Sequence, residues 1–328
     1  MATRALLVGI DTYPDPQNNL NSCVADTLAF KKMLQDVYQF DAASIKLLHN
    51  RDATLENVLG GLDVLMAGAH SGDQLVYFES SHGYRYPDGD TMVEVLCLYD
   101  HFLKDTDFVA KTQSAPADVL TVVLDSCHSG GMNKVFFPGG DVQVARAKVW
   151  TPTASDDDLN GQLYAQVTKF KFWGHAPTSD SGAVAKSFQI NPTGVPAPKD
   201  ISAGAPELNG ALFAACQADQ TAAAGSIPTN MLSAFTYALT VELDPALSLS
   251  DLSAKVTRRL DALNMSQVPR AVAPPMHQEV LTETFISMQP AGVVPVPIGQ
   301  GGDNQAGGGD GFDPLDYLRT QLGDLMSL

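Results

Sequence analysis

Short apolar runs alternate with longer amphipathic stretches over the first 130 residues, and this alternation restricts the possible folds more than any other feature of the sequence. Strands as apolar as these belong inside a sheet that is covered on both faces. The pattern therefore predicts an α/β fold, with a mostly parallel central sheet flanked by helices. Strands are predicted at 4–11, 44–49, 73–79 and 119–125, and amphipathic crossover helices at 22–38 and 54–69.

The character of the sequence changes after residue 130. Residues 131–205 are rich in Gly and Pro and show little periodicity, so a long flexible insertion is expected there. Residues 291–328 read as a Gly/Pro-rich linker followed by a short amphipathic tail. Between these two segments the predicted elements are a strand at 207–216, helices at 229–243 and 249–263, and a last strand near 280–288.

Charge and cysteine content exclude several classes of protein. Acidic residues outnumber basic residues 37 to 20, and the resulting net charge of −17 opposes binding to a phosphate backbone, so no nucleic-acid partner is expected. The four cysteines are too few and too widely spaced for a disulfide framework or a CxxC zinc site. No apolar stretch is long enough for a membrane span or a signal peptide, so a cytoplasmic protein is expected.

Two predicted strands end in residues that carry chemistry. The third strand runs into a Ser-Ser-His-Gly sequence that contains His82 and Gly83, and the fourth runs into Asp-Ser-Cys ending at Cys127. Because neighbouring parallel strands end at the same edge of a sheet, His82 and Cys127 are expected to face each other. A cysteine nucleophile needs a base, and His82 would supply it. The backbone N–H groups of Gly83 and Cys127 are candidates for an oxyanion hole.

A buried cysteine is more often a small hydrophobic residue than a nucleophile, so the surrounding motifs matter. The Asp-Ser-Cys-His-Ser-Gly sequence at 125–130 and the Tyr-Phe-Glu-Ser-Ser-His-Gly sequence at 77–83 resemble the metacaspases of the caspase-like clan of cysteine peptidases. The resemblance covers roughly residues 4–130 and 207–288. Supporting elements are Leu-Leu-Val-Gly-Ile at 6–10, Asn-Ser-Cys-Val-Ala-Asp at 21–26 and Cys-Gln-Ala-Asp-Gln-Thr at 216–221.

The resemblance implies a caspase-like α/β/α sandwich and a cysteine-type endopeptidase with a Cys127–His82 dyad. One peptidase domain is expected over residues 1–290, made of a large-subunit part (1–130), the processing insertion (131–205) and a small-subunit part (206–290). Its partners would be protein or peptide substrates, and the protein would be a monomer.

The resemblance also implies a pocket for the residue before the scissile bond, at Cys23, Asp26, Ser80 and Asp125. Two carboxylates at the floor of a cleft would bind a guanidinium or an ammonium group through charge-assisted hydrogen bonds. The expected preference is therefore Arg or Lys.

Many metacaspases need calcium, which prefers six to eight oxygen ligands, many of them carboxylates. The family's acidic pair after the histidine loop reads Val93-Glu94 here, its paired aspartates read Asp105-Thr106-Asp107, and Lys134 stands where an aspartate is expected. A lysine would repel the ion, so the sequence predicts no calcium switch. The remaining histidines stand in no ligand spacing, so no other metal is expected, and no cofactor is expected either.

Without such a switch, proteolysis of the insertion is the expected control, either by the enzyme itself or by an upstream activating protease. Its basic residues Lys134, Arg146 and Lys148 are candidate cleavage positions. Two alternatives stay open. A pseudoprotease or interaction scaffold of the same fold is suggested by Ser81, where relatives have Gly, and by the Ala-Ala-Ala sequence at 222–224. An α/β-hydrolase is disfavoured because Asp125 stands where its nucleophile elbow needs Gly.

Overall fold

The computed structural model describes residues 1–88, 91–127, 146–150, 207–217, 220–274 and 276–286. In chain order its strands are β1 (Thr3–Gly9), β2 (Ile45–His49), β3 (Gln74–Ser80), β4 (His82–Asp88), β5 (Thr91–Cys97), β6 (Phe102–Lys104), β7 (Leu120–Asp125), β8 (Ala211–Ala214) and β9 (Arg270–Val272). Its α-helices are α1 (Cys23–Asp36), α2 (Leu55–Met66), α3 (Asp105–Thr112), α4 (Ala234–Glu242) and α5 (Leu249–Ala262).

Six of these strands form a central sheet in the order β2, β1, β3, β7, β8, β9. All neighbours are parallel except β8 and β9, which are antiparallel. Both faces of the sheet are covered, because successive residues of a strand point to opposite sides. Along β1, for example, Leu6 and Val8 pack with α2 on one side, while Ala5 and Leu7 pack with α1, α4 and α5 on the other. The predicted α/β sandwich with a mostly parallel sheet is confirmed.

The junction of β1 and α1 is tight, and it positions the first turn of α1. A Cβ atom on Gly9 would lie 2.5 Å from the carbonyl oxygen of Cys23, so only glycine lets the strand pass this close to the helix. The carboxylate of Asp11 accepts hydrogen bonds from the backbone N–H groups of Cys23 (2.7 Å) and Val24 (3.1 Å). Two of the helix's free N–H groups are thereby satisfied, and α1 begins at a fixed place beside the end of β1.

Four strands (β4, β5, β6 and β9) and one helix (α3) lie where no element is predicted. Strands β4, β5 and β6 form a separate antiparallel sheet, and α3 follows directly after β6. This sheet begins at His82, only one residue after Ser81 and two after the end of β3. The chain therefore passes from the central sheet to the second sheet at His82, the predicted catalytic base.

The prediction of a last strand near 280–288 is wrong. Residues Gln278–Thr282 form a 3-10 helix, and the last strand of the described chain is β9. The apolar residues that suggested a strand, Val280, Phe285 and Ile286, are buried against the face that carries α5 without pairing to the sheet.

Most of the predicted insertion and the tail lie outside the described residues, namely 131–145, 151–205 and 291–328. Residues 146–150 are described, and they lie against the end of β3. Within the described part of the chain, none of the helices has the length and apolarity needed to cross a membrane.

Candidate active site

The register of the sheet brings the two predicted chemical sequences to one edge. Ser80 and Asp125 are direct partners at the carboxyl ends of β3 and β7. His82 and Cys127 each follow two residues later, so they leave the same edge of the sheet from neighbouring strands. His82 is 3% exposed and Cys127 is fully buried.

The imidazole of His82 is held in one tautomer. Its Nε2 lies 2.7 Å from the carbonyl oxygen of Asn18, which can only accept a hydrogen bond, so Nε2 carries the proton. Nδ1 is then the basic nitrogen; it makes no hydrogen bond of good geometry within the described residues, and the backbone of Lys148 lies beside the ring. Burial lowers the pKa of His82 to about 4, so the ring is neutral at pH 7 and Nδ1 is available to accept a proton.

The thiol of Cys127 makes two hydrogen bonds to the backbone of Ala222. The N–H of Ala222 donates to Sγ at 2.6 Å, and Sγ donates to the Ala222 carbonyl oxygen at 3.3 Å. Among the described residues Sγ makes no hydrogen bond to His82. Both groups therefore lie at one edge of the sheet, and no hydrogen bond joins them in the described part of the chain.

The four residues predicted to form the specificity pocket do come together. The side chains of Cys23, Asp26, Ser80 and Asp125 are all completely buried. Ser80 Oγ donates to Asp26 Oδ2 at 2.7 Å, and the Cys23 thiol lies beside Ser80. Burial raises the pKa of Asp26 to about 6.

Helix α4 closes the pocket from the small-subunit side. The backbone N–H of Ser233 donates to Asp26 Oδ1 at 2.8 Å, and Ser233 Oγ donates to Asp26 Oδ2. The Thr236 hydroxyl donates to Asp125 Oδ2 at 2.6 Å. The two carboxylates are thus fixed by residues more than 100 positions away in sequence.

The pocket is not empty, because the side chain of Lys148 fills it. Its Nζ lies 2.9 Å from Asp125 Oδ1, 2.8 Å from Ser80 Oγ and 3.4 Å from Asp26 Oδ2, and it also donates to the carbonyl oxygen of Asp125 at 2.8 Å. Lys148 is completely buried. Burial alone would lower the pKa of Lys148, but Asp125, Cys23 and Asp26 together raise it above its usual value, so the ammonium group is charged. A site for a basic side chain is therefore present, and it is occupied by a residue of the same chain.

The backbone around Lys148 runs through the site like an extended peptide. The N–H of Lys148 donates to the Ala222 carbonyl at 3.0 Å, and the Arg146 carbonyl accepts from Ala224 at 2.8 Å. The carbonyl oxygen of Lys148 accepts from the Gly83 N–H at 3.2 Å. Lys148 and Cys127 share Ala222 as a hydrogen-bond partner, so the Cys127 thiol lies next to the Lys148 backbone. We call residues 146–150 the occupying segment.

The predicted processing positions differ in their placement. Lys148 has its side chain in the pocket, whereas the side chain of Arg146 is exposed and donates to the Asn19 carbonyl oxygen. Lys134 lies outside the described residues.

Several residues of the site belong to no recognisable sequence motif, so they could not be predicted from the sequence. Asn18 and Ala222 act through their backbone carbonyl and N–H groups, which any residue would offer. Ser233 and Thr236 act through hydroxyl groups, but nothing in the sequence links them to Asp26 and Asp125. The pairing of distant segments in the fold is the only signal that identifies them.

No group of three or more His, Cys, Asp or Glu side chains in the described part of the chain is arranged to hold a metal ion. Asp105 and Asp107 lie in the first turn of α3. Because Lys134 and its neighbours are outside the described residues, the expected lack of a calcium switch stays a prediction.

Known proteins resemble this chain in sequence. Residues 2–281 match the family described as the caspase domain. Metacaspase-4 of Arabidopsis thaliana is 34% identical over 204 residues, which are 58% of this chain and 46% of that protein. Metacaspase-8 of Arabidopsis thaliana is 34% identical over 146 residues (40% and 38%), and metacaspase-1 of Schizosaccharomyces pombe is 30% identical over 145 residues (39% and 34%). The matches span less than half the length of these relatives.

A solved structure supports the same architecture. A protein of Geobacter sulfurreducens aligns with 88% of this chain and 99% of its own, with a TM-score of 0.61 and 19% sequence identity. At this identity the likeness concerns the fold alone.

Proposed function

Since this chain belongs to the caspase-domain family of cysteine peptidases, we propose that it is a cysteine endopeptidase that cleaves after Arg or Lys, with Cys127 and His82 as its catalytic residues. One observation carries the proposal. A lysine side chain fills a buried pocket lined by two carboxylates, while its carbonyl oxygen accepts a hydrogen bond from the residue after His82. The occupying segment is thereby arranged as a substrate would be.

The proposed reaction follows from these placements. Cys127 Sγ attacks the carbonyl carbon of the basic residue, and His82 Nδ1 takes the thiol proton. Negative charge on the carbonyl oxygen is stabilised by the Gly83 N–H and, in the predicted pair, by the Cys127 N–H. The C–N bond breaks as His82 returns the proton to the departing amine. Water activated by His82 then hydrolyses the thioester and frees Cys127.

Asn18 and the pocket residues act through positioning. The Asn18 carbonyl holds the ring of His82 in the tautomer that leaves Nδ1 basic. Asp26 and Asp125 bind the charged end of the substrate side chain and so fix its carbonyl carbon beside Sγ. Charge complementarity also explains the expected rejection of acidic side chains, because a third carboxylate in this pocket would be repelled.

Peptide cleavage tests the proposed activity. Fluorogenic peptides with Arg, Lys, Asp or Ala before the reporter group are incubated with the wild type and with Cys127→Ala, with calcium and with EGTA. Cleavage is expected for Arg and Lys only, in both media, and the variant is expected to lose it. Cleavage after Asp, or equal rates with Cys127→Ala, would contradict the proposal. Activity that disappears in EGTA and returns with calcium would contradict calcium independence.

We further propose that the occupying segment holds the enzyme inactive until the bond between Lys148 and Val149 is cut, by the enzyme itself or by an upstream protease. The support is again the placement of Lys148, since no substrate can enter a pocket that it fills. Arg146 lies two residues before it, with its side chain outside the pocket, and is less suited to this role.

Variants of Lys148 test this control. Lys148→Arg keeps a basic side chain and is expected to fragment at the same bond as the wild type, while Lys148→Ala is expected to lose that fragment. Intact-mass analysis of both variants beside Cys127→Ala identifies the cut. Identical fragmentation of the wild type and Cys127→Ala would exclude self-cleavage, and fragmentation of Lys148→Ala at residue 148 would exclude the assigned bond.

A second candidate function is an interaction scaffold without peptidase activity. It is favoured by one observation, namely that the Cys127 thiol forms hydrogen bonds with the Ala222 backbone and not with His82. The peptide assay on protein already cut after Lys148 separates the two, because a scaffold would still cleave none of the peptides.

A further inference from the structure

We propose that this enzyme also selects its substrates on the other side of the scissile bond, through an aromatic pocket that accepts a large aromatic side chain two residues after the cleaved position. The inference rests on the proposed function. The pocket is formed by Tyr13, His82 and Phe102, and in this structure it holds Trp150 of the occupying segment.

Trp150 is one of two anchors of the occupying segment. Its side chain is 2% exposed, and that of Lys148 is completely buried. The three other residues are less enclosed, because Ala147 and Val149 are half-buried and Arg146 is exposed. Lys148 and Trp150 are therefore the two side chains of the segment that enclosed pockets can recognise.

The aromatic contacts of Trp150 are specific in geometry. Its ring centroid lies 5.1 Å from Tyr13, 5.9 Å from His82 and 5.7 Å from Phe102, and all three pairs are edge-to-face, with interplanar angles of 72–87°. Edge-to-face contacts at such distances are favourable beyond the burial of apolar area. No charged group takes part in these three contacts, so the pocket favours a neutral aromatic side chain.

The walls of the pocket are fixed independently of Trp150. The Tyr13 hydroxyl donates to the Cys97 carbonyl at 3.0 Å and accepts from the His82 N–H at 3.2 Å. Phe102, on β6, lies in a stacked arrangement with Tyr84 at 6.4 Å. A pocket whose walls are held by other contacts can accept the same side chain from another peptide.

The backbone places Trp150 in the register of a substrate. Val149 pairs with Gly83 as in a parallel sheet, and the Trp150 N–H donates to the Gly83 carbonyl at 3.4 Å. Gly83 therefore binds the backbone on both sides of the bond between Lys148 and Val149. With Lys148 as the residue before the cut, Trp150 is the second residue after it, and His82 forms part of the surface on which its ring rests.

Two internally quenched peptides test the inference. They are identical except that the Lys at the cleaved position is followed by Val-Trp in one and by Val-Ala in the other. They are compared on Trp150→Ala, in which the pocket has lost its own side chain, after intact mass has shown that this variant is cut after Lys148. The value of kcat/KM is expected to be about tenfold higher for the Trp peptide. If this variant does not fold, the same comparison is made on the wild type after its own cleavage.

A matched pair of variants locates the effect. Phe102→Leu, added to Trp150→Ala, is expected to reduce the advantage of the Trp peptide to below about threefold. Phe40→Leu removes the same atoms from a buried site on the opposite face of the sheet and is expected to keep the advantage.

The outcomes are distinguishable. Equal kcat/KM values for the two peptides would overturn the inference and leave cleavage after Lys standing. An advantage that survives Phe102→Leu unchanged, or that Phe40→Leu abolishes equally, would overturn the assigned pocket. Cleavage of neither peptide would overturn the proposed activity and this inference with it.

Discussion

Two buried ionisable side chains at the end of β3 have pKa values shifted in opposite directions. Burial raises the pKa of Glu79 to about 7, although hydrogen bonds from Tyr77 and Ser81 lower it. Burial lowers the pKa of His82 to about 4. In both cases the neutral form is favoured, as expected where water is excluded. Ser81, which departs from the usual family sequence, is thus used to hold the carboxyl group of Glu79.

The two shifts predict opposite effects of pH on stability. The folded-state pKa of Glu79 exceeds its ordinary value of 4.5, so its stabilising contribution is present below pH 4.5 and is lost as the pH rises through 7. Glu79→Gln should not lose this contribution. The unfolding free energy of the variant should therefore rise, relative to that of the wild type, between pH 4.5 and pH 8. The change in relative unfolding free energy should be on the order of 3 kcal/mol.

His82→Gln is the matched variant. The unfolded chain protonates His82 near pH 6.5 and the folded chain only near 4, so the wild type loses stability as the pH falls between these values. The variant should not show this loss, again on the order of 3 kcal/mol. Urea unfolding of the wild type, Glu79→Gln and His82→Gln from pH 4 to 8 measures how the unfolding free energy of each depends on pH. Parallel pH profiles for the wild type and either variant would contradict the assigned pKa shift.

At the scale of elements, the contact between β1 and α1 fixes the acidic pocket that Lys148 fills, because Cys23 and Asp26 lie in the first turn of that helix. Gly9→Ala places a methyl group against the backbone of Cys23 and should destabilise the protein by roughly 1–3 kcal/mol. Gly60→Ala, in α2, meets no atom within 4 Å and should stabilise the protein by up to about 1 kcal/mol. Thermal unfolding of the two variants measures the difference. A neutral or stabilising Gly9→Ala would show that the strand and helix can separate at little cost.

Elements that are buried on both faces were the easiest to predict. The predicted strands at 4–11, 44–49, 73–79 and 119–125 differ from β1, β2, β3 and β7 by at most two residues at either end, since continuous apolar runs of this length have few alternatives. The sheet of β4, β5 and β6 was missed because its side-chain pattern mixes buried and polar positions. Helix α4 starts five residues later than predicted, because a separate 3-10 turn, Ile227–Thr229, precedes it and ends in the left-handed residue Asn230.

The pocket was predictable in its members but not in its contents. Cys23, Asp26, Ser80 and Asp125 were expected to meet because the resemblance to metacaspases implies a pocket at these positions. The position of Lys148 depends on a contact with Asp26 that spans 122 residues of sequence. No local pattern around Lys148 encodes that contact. Its charge made it a candidate for cleavage, but only the fold places it in the site.

At the scale of the whole molecule, the bond between Lys148 and Val149 divides the chain between two neighbouring strands of one sheet. Strand β7 lies before the cut and β8 after it, and the two are paired in parallel over four residues. Ser233 and Thr236, from the second piece, bind Asp26 and Asp125 of the first. The two pieces share one hydrophobic core on each face of the sheet.

We therefore expect the two pieces to stay together after cleavage. On gel filtration in buffer, the cut protein should elute at the position of the uncut Cys127→Ala protein. In 6 M guanidinium (about the strength that unfolds even very stable domains) the same sample should show two chains. Separate elution in buffer would contradict a sheet shared across the cut.

The occupying segment has one more consequence, which concerns competition. Because it is tethered to the site by the chain on both sides, its effective concentration there is on the order of millimolar, whatever the amount of protein in solution. A free peptide at micromolar concentration cannot displace it unless its affinity is far higher. The cut after Lys148 leaves each half of the segment with one tether, so each half can leave the site, and its return then depends on the remaining linkage alone. A single cut would therefore convert a site that ignores substrate concentration into one that responds to it.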